Sequence, residues 1–173
     1  METTWTHQGG RKNRLLAALY QLRGKETREE LGRRQFETYF KFGFVRNPWD
    51  RTVSLYERTE PVQMKEKMSF QEFVDWIQYS SATCIHSSPH RYQLDWFVDG
   101  SGNILTDFIG RFEKLEEDWA FVAGKIGVAA SLPHRRSNPR ERHYTEYYDA
   151  RTQEIIANKF KVDIDHFGYE FGV

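Results

Sequence analysis

The sequence predicts an α/β domain in which a parallel sheet is covered by helices. Two observations lead there. Two apolar, aromatic-rich runs of strand length, residues 39–45 and 104–108, each lead through a turn into an amphipathic helical pattern. Strands that each feed a helix pair in parallel and are joined by helical crossovers. The length of 173 residues suits one main domain with a core of its own, and an aromatic content of 16% excludes general disorder.

Each element has a local cause. Leu15, Leu16, Ala18, Leu19 and Leu22 make one face of a short helix that Gly24 ends. With the flexible start ahead of it, this helix forms an N-terminal segment, residues 1–26, before the domain proper at 27–173. Thr27 with Glu30 is a capping box that opens a helix running to about Phe36. The strand 39–45 follows, and after it Asn47 reads as an N-cap, Pro48 as the first helical residue and Asp50 as an acid of the first turn. Ser69 with Glu72 opens the next helix, whose buried stripe is Phe70, Phe73, Val74 and Ile77. Residues 80–95 read as a polar loop and 99–103 as a turn before the second strand. A helix with Leu115, Trp119, Val122 and Ile126 on one side closes at Gly127, and a last helix runs over about 149–160.

Composition bounds the function. The formal net charge is zero, which argues against a general nucleic-acid or membrane-surface binder. No run of about eighteen apolar residues occurs, so no transmembrane segment is expected. The start lacks the apolar core of a signal peptide, and the single cysteine, Cys84, rules out an internal disulfide; the expected compartment is the reducing cytoplasm. Residues 134–143 nevertheless hold four arginines and two histidines.

Chemistry concentrates in Arg46-Asn47-Pro48-Trp49-Asp50-Arg51-Thr52-Val53-Ser54-Leu55-Tyr56. Strand, tight turn and helix start make an anion site when backbone N–H groups are left to face a phosphate. At about 100° per residue, Asn47, Arg51 and Ser54 share one helical face, and Trp49, Val53 and Tyr56 the opposite one. The aromatic face is free to enter the core, and the polar face, with Arg46 at its mouth, is left for a ligand. A capped amphipathic helix whose arginines meet surface carboxylates has the same pattern.

The string Arg-Asn-Pro-x-x-Arg-x-x-Ser-x-Tyr resembles the 3′-phosphate-binding motif of sulfotransferases that use 3′-phosphoadenosine 5′-phosphosulfate (PAPS). Asp107-Phe108-Ile109-Gly110-Arg111-Phe112-Glu113-Lys114-Leu115-Glu116-Glu117-Asp118, Leu132-Pro133-His134, and the segments from Tyr147-Tyr148-Asp149 to Asp163-Ile164 and Phe167-Gly168-Tyr169-Glu170-Phe171 are similar to its carbohydrate-type branch. The match covers about residues 27–171. It implies a P-loop-nucleoside-triphosphatase-like sandwich and transfer of a sulfuryl group from PAPS to a hydroxyl of a carbohydrate-like acceptor, without a metal. It also implies that Arg46 and Ser54 hold the 3′-phosphate, supported by Arg51 and the helix start at Asn47.

One part of that pattern is missing. Such enzymes open with a buried strand and a Lys-Thr-Gly-Gly-Thr-type loop around the 5′-phosphosulfate. Here Gly9-Gly10 has no apolar strand and no lysine ahead of it; Arg11 or Lys12 would have to stand in. The first strand is therefore expected to be absent. The chain is then a truncated piece of a longer product, a non-catalytic nucleotide-binding homologue, or one member of a homo-oligomer that covers the open sheet edge. The abrupt start favours the first.

For the acceptor, the loop Cys84-Ile85-His86-Ser87-Ser88-Pro89-His90-Arg91-Tyr92-Gln93-Leu94-Asp95-Trp96 lies where the resemblance implies the acceptor cleft. His90 and then His86 are the candidate bases. Trp96 reads as a core residue before it reads as a sugar-stacking one. In the basic loop Arg135 and Arg136, with Arg140 and Arg142, are candidates to close over the nucleotide phosphates, although this chain departs there from the branch's usual asparagine and serine. Arg111 and Glu113 read as structural ion-pair partners. His86 and His90 are four apart but in a Ser-Pro loop with no acidic or Cys partner, which is not a metal set.

Overall fold

The computed structural model describes residues 27–58, 68–80, 90–129, 132 and 142–173. Within them, β1 (Phe42–Val45) and β2 (Phe108–Arg111) pair in parallel, Phe42 opposite Phe108 and Val45 opposite Arg111. Helix α1 (Arg28–Thr38) precedes β1. Between the strands lie α2 (Pro48–Arg58) and α3 (Phe70–Tyr79), and after β2 come α4 (Leu115–Ile126), α5 (Ala150–Lys159) and α6 (Lys161–Phe167). The described residues are thus α/β, with a two-stranded parallel sheet and six α-helices. They fall in two compact units, one that holds α1 and ends at Tyr39 and one that begins at Phe40.

The pairing has a defined entry. Lys41 C=O accepts the N–H groups of Asp107 (2.8 Å) and Phe108 (3.2 Å), and the Asp107 carboxylate takes both the N–H (2.7 Å) and Nζ (2.9 Å) of Lys41. The second strand starts at Phe108 and not at the predicted Ile104. Ile104 is engaged elsewhere, in an antiparallel bridge with Val98, and Leu105 N–H donates to Phe97 C=O at 2.7 Å. Between them Asp99 accepts the N–H groups of Ser101 (2.8 Å) and Asn103 (2.9 Å), so residues 99–103 form the predicted turn, with Gly102 at φ +84°.

The helix signals are realised in the chain. Thr27–Glu30 and Ser69–Glu72 close full capping boxes, and Asp149 caps α5 through Thr152 N–H at 2.7 Å. These bonds hold the Glu30, Glu72 and Asp149 carboxyls below their ordinary values. Gly127 ends α4 at φ +71°. Phe70, Phe73, Val74 and Ile77 are buried as the periodicity predicts. On α4, however, Ile126 is exposed and Ala123 is buried in its stead.

Most of the core lies on the α2, α3 and α5 side. Trp49 and Val53 of α2 are buried, and Phe70 is ringed edge-on by Tyr56, Tyr147 and Tyr148 at 4.8–5.5 Å. Ile156 and Phe160 complete it from α5 and its end. A short turn, Tyr144–Tyr147, packs against α2, and the tail after α6 returns so that the Phe171 ring meets Trp49, Tyr144 and Tyr148. Among the described residues no helix is long and apolar enough to cross a membrane.

Candidate functional site

The site begins where β1 ends. Val45 is buried and the chain turns at Arg46 and Asn47 before Pro48 starts α2. Asn47 is the predicted N-cap: its Oδ1 accepts Trp49 N–H at 3.1 Å, and its C=O accepts Arg51 N–H at 2.8 Å. The other end of the same amide is a tie to the tail, with Nδ2 donating to Glu170 C=O at 2.9 Å and lying 3.4 Å from Tyr144 Oη and Val173 C=O. Asn47 is fully buried.

Glu113, in the short turn Phe112–Lys114 after β2, adds a carboxylate to the helix start: its Oε1 accepts Asn47 N–H at 2.5 Å. The N–H groups of Asn47 and Trp49 are therefore taken by the chain's own acceptors. At these two amides an internal carboxylate and the Asn47 cap stand where a ligand anion was expected.

Arg46 stands just before the cap. Its Nε donates to Asp50 Oδ2 at 2.5 Å, and its guanidinium lies 4.2 Å from the centre of the Phe112 ring. The two side chains of this pair are 16% and 14% exposed. Asp50 and half-buried Ser54 are one helical turn apart, so the carboxylate that holds Arg46 sits on the same face of α2 as the serine. Arg51 occupies the neighbouring position on that face, half-buried. The opposite face is the core face, as predicted: Trp49 Nε1 donates to Gln153 C=O at 3.0 Å and Tyr56 Oη to Met68 C=O at 3.1 Å.

Arg111 and Glu113 are both engaged within the chain, each by a main-chain group and by the Tyr169 side chain. Arg111 Nη2 donates to Phe167 C=O and its guanidinium lies 4.9 Å from the Tyr169 ring centre; its N–H donates to Asp118 at 2.5 Å. Tyr169 Oη lies 3.5 Å from Glu113 Oε2, and burial, with that carboxylate beside it, pushes the phenol well above its ordinary value. Burial likewise raises Tyr144.

Of the acceptor candidates, His90 is half-buried with its ring 4.3 Å from that of Trp96, which is 62% exposed. The core role expected for Trp96 is thus corrected: Asp95 accepts the N–H groups of Arg91 (2.7 Å) and Tyr92 (2.9 Å), closing a tight turn that leaves the next side chain outside. Arg142 lies over the Tyr147 ring at 4.3 Å, and Tyr147 Oη donates to Glu57 at 3.1 Å, in the last turn of α2. His86, Arg135 and Arg136, like Cys84, Arg140 and the whole 1–26 segment, lie outside the described residues. Among the described residues no cluster of three or more His, Cys, Asp or Glu side chains is arranged to hold a metal ion.

Gln93 was not singled out by sequence reasoning. Its side chain spans the main chain of Arg46, with Oε1 accepting the N–H at 2.9 Å and Nε2 donating to the C=O at 2.8 Å. Nothing local announces that contact; it joins residues 47 positions apart.

Residues 7–170 match a family model described as the sulfotransferase family. An uncharacterized protein of Archaeoglobus fulgidus is 33% identical over 119 residues, 68% of this chain and 92% of its own length. The proteins named carbohydrate sulfotransferase 11 of Rattus norvegicus and Mus musculus are each 22% identical over 169 residues, covering 78% of this chain. The chain spans 48% of the length of each of these two relatives. No solved structure matches.

Proposed function

The chain belongs to the sulfotransferase family, and on that premise we propose that it binds PAPS and serves transfer of the sulfuryl group to a hydroxyl of a carbohydrate-like acceptor. In the transfer, the bond from sulfur to the donor's phosphate oxygen breaks as the acceptor oxygen bonds to sulfur. The acceptor proton passes to an imidazole, that of His90 or His86. Arg46 and Ser54 bind the donor's 3′-phosphate, and Arg51 supports them. Asn47 contributes by fixing the helix start, and Arg135 and Arg136 close over the nucleotide phosphates. The same proposal includes a P-loop-like sheet.

The observation that carries the reading is where the Arg46 guanidinium is held. Asp50 takes its Nε on the face of α2 that also bears Ser54, and an arginine fork carries further N–H donors with which to meet a phosphate. The names of the rat and mouse relatives support a carbohydrate acceptor. His90 against exposed Trp96 supports a surface on which a sugar ring stacks beside a base.

Calorimetric titration of adenosine 3′,5′-bisphosphate, beside adenosine 5′-monophosphate, tests it. The bisphosphate is expected to bind more tightly, and Arg46→Ala to lose about 1.5–3 kcal/mol, roughly ten- to a hundredfold. Equal affinity for the two nucleotides would overturn the site. Bisphosphate binding without sulfate transfer to any carbohydrate hydroxyl would leave a nucleotide-binding homologue.

A further inference from the structure

We infer that Gln93 is a positioning residue that sets where the Arg46 guanidinium sits and ties it to the turn carrying His90 and Trp96; its consequence for ligand binding rests on the donor site proposed above. Arg46 lies between the end of β1 at Val45 and the start of α2 at Pro48, where neither ladder nor helix supplies partners for its backbone. The Gln93 amide supplies both, accepting the N–H at 2.9 Å and donating to the C=O at 2.8 Å, as an adjacent strand would. A long flexible side chain holds such a geometry only when its own base is fixed.

Here the base is fixed by Asp163 of α6, a carboxylate with no exposed surface. Its Oδ2 accepts Gln93 N–H at 2.9 Å and its Oδ1 accepts Leu94 N–H at 3.0 Å. A buried carboxylate is tolerated where donors answer it, and these two amides open the Leu94–Trp96 turn. The chain of contacts therefore runs from α6 through Gln93 to the Arg46 backbone, then along the Arg46 side chain to Asp50. A shift of the Arg46 Cα swings the guanidinium at the end of its arm, away from Asp50 and from the Phe112 ring. The same Gln93 sits between His90 and Trp96 in sequence, so one residue spaces the candidate donor cation from the candidate acceptor floor.

Two readouts on the full chain test this. The first is the side-chain Nε–H proton of Arg46 by NMR, assigned by its disappearance in Arg46→Lys. The second is the affinity ratio for adenosine 3′,5′-bisphosphate over adenosine 5′-monophosphate. Gln93→Met is expected to shift or broaden the Arg46 signal and to lower that ratio about tenfold, with no further loss when added to Arg46→Ala. Gln93→Asn, the same amide on a shorter arm, is expected to do likewise, which keeps the test open if the methionine variant fails to fold. An unmoved Arg46 signal and ratio in either folded variant, or losses that add in full to those of Arg46→Ala, would overturn the inference. If the unaltered protein shows no preference for the bisphosphate, the donor reading alone falls, and the Arg46 signal then decides the positioning role by itself.

Discussion

β1 with α2 and β2 with α4 are two copies of one plan: a four-residue strand, a tight turn and a helix, with the strands parallel and in register. They differ at the turn. In the first, Asn47 is fully buried, caps α2 and binds the tail; in the second, Lys114 stands at the start of α4 with no side-chain cap bond. The second turn looks outward to the first instead: Phe112 carries the Arg46 guanidinium and Glu113 takes the Asn47 amide. One unit thus presents the site and the other furnishes it. A common topology leaves that division of labour to a few turn residues.

The difference predicts unequal sensitivity. Asn47→Ala removes a cap and leaves Glu170 C=O without its buried donor, which together should cost about 2–4 kcal/mol in urea unfolding. Lys114→Ala, at the equivalent position of the second unit, should change stability by less than about 0.5 kcal/mol. Similar losses at the two positions would break the comparison.

The strands themselves should behave alike. A Cβ at Gly110 would lie 2.6 Å from Phe44 Cε1 and 3.1 Å from Asp118 Cβ, and one at Gly43 would meet the Phe97 ring. Gly110→Ala and Gly43→Ala should each destabilise by about 1–3 kcal/mol through overpacking, although alanine is ordinarily the better strand residue by about 0.5–1 kcal/mol. A gain at either position would show that its neighbours yield, and that the two strands are not equally tight.

What was legible in the sequence was local. The capping boxes at Thr27 and Ser69, the Asn47 cap, the stop at Gly127 and the buried stripe of α3 each depend on residues within about one helical turn of one another. The start of β2 was missed because Ile104 has the composition of a strand but is used in a bridge to Val98. Helix α6 was missed because Phe160 alone separates it from α5, too short a break to show in the periodicity. In the candidate site, Arg46 and its face were visible, whereas the residues that hold it, Gln93 and Glu113, come from 47 and 66 positions away from their partners. Contacts at such separation carry no periodic or motif signal.

Alkaline titration tests the burial of the tail's Tyr169 beside Glu113 of the second turn. The Tyr169 phenol, raised by burial and by Glu113, stays protonated in the folded chain above about pH 10, where the unfolded chain ionises. Its folded value lies above its unfolded one, so its contribution is complete below about pH 10 and is lost as pH rises toward the folded value. The urea midpoint should therefore fall above about pH 10, and Tyr169→Phe should flatten that fall; Tyr144, also raised, retains its own part. An unchanged alkaline limb in Tyr169→Phe would mean that the phenol is not buried in solution as it is in the structure.

The smallest effect belongs to the outer end of the second unit. Val53 of α2 and Val122 of α4 are equally buried, but four residues beyond Val122 the side chain of Ile126 is 39% exposed, in the last turn of its helix. Ile126→Lys gives up little buried apolar area and places a cation at the negative end of the helix, two contributions of opposite sign that should leave stability within about 0.5 kcal/mol of the parent. Val122→Ala, one turn earlier, should cost about 1–3 kcal/mol. If instead Ile126→Lys proves as costly as Val122→Ala, then the exposed end of α4 is covered in solution.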